Sequence, residues 1–341
     1  GWKRTNVFIP SEDDMVDSLI SVVVPCRDEE NQICKLIESL KKQTYQNFEL
    51  ILVNDHSEDA TQSYIEAALP GFKNIRLVDA IGFGKKNALR EGILQSRGDL
   101  IVTTDADCSH SNRWLQTIAA FQNKYPSDLV ICPVRLSGKS SLFSNIQQLE
   151  FVSLVASGAG AAGAGMPVLC NGANLVFTKE IWRKSLADLH DEEQSGDDIF
   201  LLQSVKKQGG VIRFLKSETA FAVAESADSL KSFFKQRRRW TSKAPAYTDW
   251  QIIFTACVIF TISFLELILL CLSFFDSIYV ILFLSVFAFK YLLDVFFMSS
   301  ARAFFEQKRV CFNSLALSIV YPFYIVMVGA SALIVKPRNW K

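Results

Sequence analysis

Past Trp250 the chain enters three stretches that leave little choice of structure. Trp250 to Phe275 and Cys311 to Val335 each exceed the ~20 apolar residues that cross a bilayer as a helix, and Ile278 to Met298 just reaches that length. In lipid a spanning segment must satisfy its backbone internally, so each of the three reads as a transmembrane helix, with a kink expected at Pro322. Lys290 and Asp294 lie one helical turn apart in the second span and read as a local ion pair near the membrane surface. Basic residues give the orientation. Lys235, Arg237, Arg238, Arg239 and Lys243 precede the first span, Arg302, Lys308 and Arg309 follow the second, and the connection near Asp276 has none. The positive-inside rule then makes this an integral membrane protein with the residues before Trp250 in the cytoplasm. Three crossings would leave the basic tail 336–341 on the other side, a conflict that a re-entrant or interfacial third segment would remove.

Residues 1 to 18 are polar and irregular and read as a loose arm. The chain opens on Gly1 without a signal-peptide pattern, which leaves room for an upstream segment. From Leu19 a rhythm sets in. Leu19–Val24 is a β-branched run ending at Pro25, and Asn31–Lys42 has helical apolar spacing. Phe48–Val53, Asn74–Val78, Leu100–Thr104 and Leu129–Cys132 repeat the strand pattern, separated by helices near Glu58, over Lys85–Gln95 and over Trp114–Phe121. This alternation predicts an α/β domain with a doubly wound, mostly parallel sheet. Lys and Arg total 36 against 35 Asp and Glu, so a net charge of +1 supplies no field for nucleic acid. The 8 cysteines form no Cys-x-x-Cys pair and read as small apolar residues in a reducing compartment.

In such a sheet, ligands collect beyond the carboxyl ends of the strands. That edge displays Pro25-Cys-Arg-Asp-Glu-Glu30, then Asp55, Asp79, Gly82-Phe-Gly-Lys-Lys-Asn87, and finally Asp105 and Asp107. Asp105-Ala-Asp107 can offer hard oxygens to a divalent cation carrying a diphosphate, while Lys85 or Lys86 supplies charge. The plainer reading of Asp-x-Asp is a solvated turn. Gly82-x-Gly84 lacks a third glycine and follows the third strand, so it is weak as a dinucleotide fingerprint, and no Walker A sequence is present. His110 reads as a solvated loop residue. Leu142–Val155 reads as a helix leading into Ala156-Ser-Gly-Ala-Gly-Ala-Ala-Gly-Ala-Gly165, either a flexible loop or a close-packed surface beside an acceptor or the membrane. Asn171 to Asn174 is a turn signal. Asp197 and Asp198 open a helix, where aspartates commonly serve only as caps.

Four signals occur in a fixed order: Val53-Asn-Asp-His-Ser57, Asp105-Ala-Asp107, Gly196-Asp-Asp198 and Gln236-Arg-Arg-Arg-Trp240. From about Leu19 to the third apolar span the chain resembles a membrane-attached family 2 glycosyltransferase with the GT-A fold. The signals are similar to that family's nucleotide-binding aspartate, its metal and diphosphate motif, its catalytic acidic pair and its Gln-x-x-Arg-Trp motif. Asp197 stands where the family often has Glu. The resemblance implies an inverting transferase that uses Mg2+ or Mn2+ and a nucleotide sugar, with a UDP-sugar as the expected donor, in a bacterial inner membrane. It implies Asp198, with Asp197 beside it, as catalytic; Asp107 and Asp105 as metal ligands; and Asp55, Asp28 and Glu30 as nucleoside contacts. Pro25, Arg27, Lys85, Asn87, Asp105, Gln236, Arg239 and Trp240 complete the expected donor site. The acceptor, lipid-linked or a glycan near the membrane, is expected at Asn171, Gly172, Asn174 and Trp240. The expected partition is an arm over 1–18, a catalytic domain over 19–227, an interfacial helix over 228–249 and the membrane region over 250–341, with a homo-oligomer or partner subunits left open. A processive polysaccharide synthase, a non-catalytic nucleotide-sugar sensor and a membrane-anchored nucleotidyltransferase are the competing readings; the last would want a basic loop where Asp28-Glu-Glu30 stands.

Overall fold

A computed structural model describes residues 1–11, 14, 17–190, 193, 196–308 and 310–334; Arg309, Val335 and the basic tail 336–341 lie outside the described residues. The chain divides into two compact units. Among the described residues, one comprises Gly1–Arg135 and Gly158–Glu225, and the other Leu136–Ser157 with the residues from Ser226 to 334.

In chain order the first unit is built from β1 (Ile20–Cys26), α1 (Ile33–Lys41), β2 (Phe48–Asn54), α2 (Thr61–Ala68), β3 (Ile75–Asp79), α3 (Lys85–Gln95), β4 (Leu100–Thr103), β5 (Ser109–His110), α4 (Trp114–Lys124) and β6 (Leu129–Ile131). After β7 (Val134–Ser137) and α5 (Leu142–Ala162) come β8 (Leu175–Thr178), α6 (Lys179–Ser185), α7 (Asp197–Lys207), β9 (Ile212–Phe214) and β10 (Ala222–Glu225). Seven strands form one sheet in the order β3-β2-β1-β4-β8-β6-β9. β3, β2, β1 and β4 are parallel, as are β6 and β9, whereas β8 runs antiparallel to both its neighbours. Both faces of the sheet are covered, so β1 and β2 are buried along their whole length, as their unbroken apolar runs require. Pro25 is accommodated inside a central strand because the β1–β4 ladder stops at Val23↔Thr103, leaving no partner there for the missing N–H. The registers Cys26↔Asn54 and Asn54↔Asp79 bring the ends of β1, β2 and β3 level.

Two expectations are corrected in this unit. The N-terminal residues are not a loose arm. Trp2 and Phe8 are buried, the Phe8 ring meets Phe121 edge-on at 5.1 Å, and the Lys216 ammonium lies 3.8 Å from the centre of the Trp2 ring. Lys216 Nζ also donates to the carbonyls of Trp2 and Thr5 at 3.3 and 3.1 Å. Nor is the Gly/Ala run a loop: α5 continues through it to Ala162. The lack of side chains is what seats the N-terminus, since a Cβ on Gly160 would come within 3.2 Å of the Trp2 nitrogen and one on Gly163 within 2.3 Å of Thr5 Oγ1.

The second unit holds α8 (Leu230–Thr241), α9 (Trp250–Leu272), α10 (Ser277–Ala301) and α11 (Val310–Ile334). Among the described residues, three helices of 23, 25 and 22 residues are long and apolar enough to cross a membrane: all of α9 and α10, and Val310–Ser331 of α11. Their starts are capped by Asp249 and Asp276, whose carboxylates accept from the first-turn N–H groups of α9 and α10. Lys290 and Asp294 do pair, at 3.1 Å. Lys290 falls at the middle of α10, which extends from Ser277 to Ala301. Pro322 lies inside α11, which the chain continues through.

Candidate active site

The level ends of β1, β2 and β3 are followed by loops that are laced to one another. Asp28, held at a positive φ of 52°, accepts the Glu58 N–H at 2.9 Å, and Glu30 accepts the Ala60 N–H at 3.1 Å. In return the Asp28 and Glu30 N–H groups donate to Ser57 Oγ and Asp59 Oδ2. Asn87 donates to the Phe83 carbonyl at 2.7 Å. These three side chains, expected as nucleotide contacts, each bond backbone of the surrounding loops. Asp55 is fully buried and takes the Gly84 N–H on both oxygens at 3.0 Å, with Arg27 Nη1 at 3.8 Å. Its carboxylate thus fixes the turn that starts α3, where Gly84 adopts a φ of 97° that glycine tolerates. Beside it the rings of His56 and Phe83 stack at 4.0 Å, with Phe83 largely exposed. The sequence reading passed over this pair, although an aromatic residue between Gly82 and Gly84 signals a side chain pushed outward.

Beyond β4, Asp105 is half-buried and pairs with Lys85 at 2.5 Å, while Asp107 reaches solvent. Desolvation and then the Asp105 charge raise the Asp107 carboxyl above its usual range, with Lys85 acting the other way. Two like charges one residue apart make a pair of hard-oxygen donors that suits Mg2+ or Mn2+. Among the described residues no three His, Cys, Asp or Glu side chains gather as a metal cage. His110 is not a solvated loop residue: it stacks on Trp114 at 3.8 Å, meets Thr104 Oγ1 at 3.0 Å, and burial pushes its pKa down to about 3.

The second half of the site comes from the 171–174 turn and α7. The Thr103 hydroxyl donates to the Gly172 carbonyl at 2.8 Å, and the Gly172 N–H donates to Asp198 Oδ2 at 3.1 Å. The other oxygen of Asp198 accepts the Ile199 N–H at 2.8 Å, so the helix N-terminus stabilises the carboxylate. Asn171 accepts from Ala173 N–H and shapes the turn. Asn174 is not an acceptor contact. It is fully buried, accepts from Trp114 Nε1 at 3.1 Å, and donates to the carbonyls of Pro133 and Ala220 at 2.7 and 2.8 Å. Asp197 lies 3.8 Å from Lys86, whose ammonium donates to the carbonyls of Leu189 and His190.

Residues 21–181 match the family model described as glycosyl transferase family 2. They form a family 2 glycosyltransferase domain. A poly-beta-1,6-N-acetyl-D-glucosamine synthase of Staphylococcus epidermidis is 28% identical over 44% of this chain and 36% of its own. An undecaprenyl-phosphate 4-deoxy-4-formamido-L-arabinose transferase of Proteus mirabilis is 38% identical over 26% of this chain and 28% of its own. The chain therefore spans about a third of these relatives. A mannosyltransferase from Pyrobaculum calidifontis, solved with GDP-Man and Mn2+, superimposes with a TM-score of 0.56 at 15% identity, covering 98% of this chain and 92% of that one. The fold of this α/β unit is accordingly GT-A.

Gln236, Arg239 and Trp240 lie on α8, in the second unit. Two residues of that helix are buried, Phe233 and a residue at a variable position of the motif, Arg237, which is 2% exposed. It pairs with Glu150 and lies 4.1 Å from the Trp240 ring and 4.9 Å from the Phe233 ring. Phe233, Arg237 and Trp240 follow the i, i+4, i+7 spacing of one helix face.

Proposed function

We propose that this glycosyltransferase moves a sugar from a nucleotide sugar to a hydroxyl of a lipid-linked or membrane-proximal glycan acceptor, with inversion at the anomeric carbon. The observation that carries the reading is the chain of bonds from Thr103 through Gly172 to Asp198. It ties the candidate base to the strand that releases Asp105 and Asp107 immediately afterwards. Asp198 is the general base: it accepts the acceptor's hydroxyl proton as that oxygen bonds to the anomeric carbon and the bond to the diphosphate breaks, its electron pair leaving with the diphosphate. Mg2+ or Mn2+, held by Asp107 and Asp105, supplies positive charge where the leaving group becomes negative. Lys85 adds a cation on the same side, and Asp55 with Arg27 keeps the Gly84 turn in place beneath it.

The Proteus relative is named for undecaprenyl phosphate and the Staphylococcus relative for a polysaccharide, which supports an acceptor at a membrane. The basic residues flanking the first span and following the second support a cytoplasmic α/β unit. The test is nucleotide release by the detergent-purified chain from a panel of UDP- and GDP-sugars, with and without Mn2+, beside Asp198→Asn. Metal-dependent release from one donor, reduced about 10²- to 10⁴-fold in the variant, is expected. Equal release by the variant would overturn the assignment of the base, and donor binding without turnover, even with lipid extract as acceptor, would favour a sensor. Product length on a gel separates single transfer from processive synthesis.

A further inference from the structure

Lys85 and Lys86 are neighbours in sequence, yet they serve opposite halves of the site. Lys85 meets Asp105 at 2.5 Å. Lys86 is buried, and its ammonium donates to the Leu189 carbonyl at 2.8 Å and the His190 carbonyl at 2.7 Å. The same ammonium is 3.8 Å from Asp197 Oδ1 and 5.4 Å from the centre of the Phe200 ring. One cation therefore touches the turn leading toward α7, the first residue of α7 and a ring on its first full turn. A cavity runs along this contact, lined by Lys86, Arg90, Trp182, Leu189, Asp197 and Asp198 among others.

We propose that Lys86 is a positioning residue for the acceptor half of the reaction: it pins the entry to α7 and balances Asp197, so that Asp198 is presented as the base. This rests on the reading of Asp198 given above. The geometry separates the two aspartates. Asp197 faces the Lys86 charge, whereas Asp198 is oriented by the Gly172 and Ile199 N–H groups. Two carboxylates side by side repel each other's ionised form, and a cation committed to one leaves the other to take a proton from substrate. Without Lys86 the two carbonyls it serves lose a charged donor, and a small displacement of a base is enough to slow proton transfer strongly.

The experiment compares Lys86→Met and Lys85→Met in the full detergent-purified chain. Three readouts are used: kcat and KM for nucleotide release from the active donor, the Kd of UDP and GDP by calorimetry, and amide exchange over Leu186–His190 and the first turn of α7. Lys86→Met should lower kcat about tenfold or more with KM and nucleotide Kd within about twofold. Lys85→Met should do the reverse, raising KM and Kd by about tenfold. Exchange near Leu186–His190 should accelerate in Lys86→Met alone. A Lys86→Met that weakens nucleotide binding as Lys85→Met does, or that leaves exchange at Leu186–His190 unchanged, overturns the proposal. The exchange readout needs no turnover, so it decides the role of Lys86 separately. If wild type releases no nucleotide the underlying transferase reading fails instead, and if Asp198→Asn releases it as fast the assignment of Asp198 as base fails.

Discussion

Gly92 is the position at which α3 comes closest to the sheet, and Gly92→Ala sets two effects of similar size against each other. A Cβ there would lie 2.5 Å from Val23 Cγ1 and 2.8 Å from Val53 Cγ2. Relaxed carbon–carbon contacts are about 3.5–4.0 Å, so both are short by roughly 1 Å. Val23 at the centre of β1 and Val53 near the end of β2 are fully buried, and β-branched side chains have restricted rotamers with which to move aside. The helix must lift or the valines must leave their rotamers, an overpacking cost of about 1–3 kcal/mol. Against this, Ala favours a helix interior over Gly by about 1 kcal/mol. Two simultaneous clashes on strand residues place the cost in the upper half of its range, so the net expectation is a loss of about 1–2 kcal/mol, or roughly 3–6 °C in Tm. Because Lys85 is on the first turn of the same helix, the displacement should also weaken nucleotide binding. The assay is thermal unfolding in detergent with UDP and GDP titrations, extended to Val23→Ala and the double variant. Removing Cγ1 relieves the nearer clash, so the double variant should be more stable than the sum of the singles by about 1 kcal/mol. Gly92→Ala melting at or above wild type, or strict additivity with Val23→Ala, would refute the packing argument.

Glu49 is buried where it accepts from Ser21 Oγ, from the Arg97 N–H and Nε, and from Arg76. Burial alone would raise its pKa, but the Ser21, Arg97 and Arg76 contacts outweigh it and hold the carboxyl at about 2 rather than 4.5. The sign follows: this contribution, about 3 kcal/mol, is complete above pH 4.5 and is lost as the pH falls toward 2. The Tm deficit of Glu49→Gln should therefore be largest at neutral pH and shrink below pH 4.5. Asn174→Ala removes three buried hydrogen bonds and should cost about 2–4 kcal/mol in an unfolding experiment while the KM of the folded fraction stays unchanged; a selective rise in acceptor KM would return Asn174 to the acceptor site. Two buried glutamates should diverge. Glu150→Gln strips Arg237 of its buried counter-ion and should destabilise by about 3 kcal/mol. Glu266→Gln in α9, where among the described residues neither carboxylate oxygen is hydrogen-bonded, should melt within about 1 kcal/mol of wild type or above it. Asp107→Asn should abolish Mn2+ stimulation of nucleotide release, and an undiminished metal response would place the ion elsewhere.

The strands were legible because a sheet covered on both faces needs continuous β-branched runs, and β1 to β4 lie within two residues of where those runs stand. The bounds of α3 coincide with its apolar spacing. What the chain concealed was carried by residues with no side-chain signal. The Gly/Ala run lacks periodicity, yet it continues α5 and receives the N-terminal residues, a contact about 160 positions away in sequence. In the site, Asp198 and Gly172 were named separately and the fold joins them. The partners of Asp28, Glu30 and Asn174 were not legible because each bonds groups remote in sequence, at separations of 30 to 60 residues. Three consecutive arginines gave no means of telling that Arg237 is the buried one, which the helical spacing from Phe233 to Trp240 decides.

The charges at two helix starts show that α3 is shaped by the site as much as by its own stability. A helix N-terminus carries partial positive charge and favours acidic residues by about 0.3–1 kcal/mol each. α7 obeys this, opening with Asp197 and Asp198. α3 does the opposite: its first turn has no acidic residue and begins with Lys85 and Lys86. That arrangement is locally unfavourable, and it is offset only by what the lysines reach, Asp105 on one side and the carbonyls of Leu189 and His190 with Asp197 on the other. Gly92 two turns later lets the same helix lie against Val23 and Val53, which keeps both ammonium groups within range of the strand ends. A helix chosen for intrinsic helix propensity alone would have an acidic first turn and an alanine at that position. The combination found here makes sense when negative charge must be gathered, and held, at the edge of the sheet.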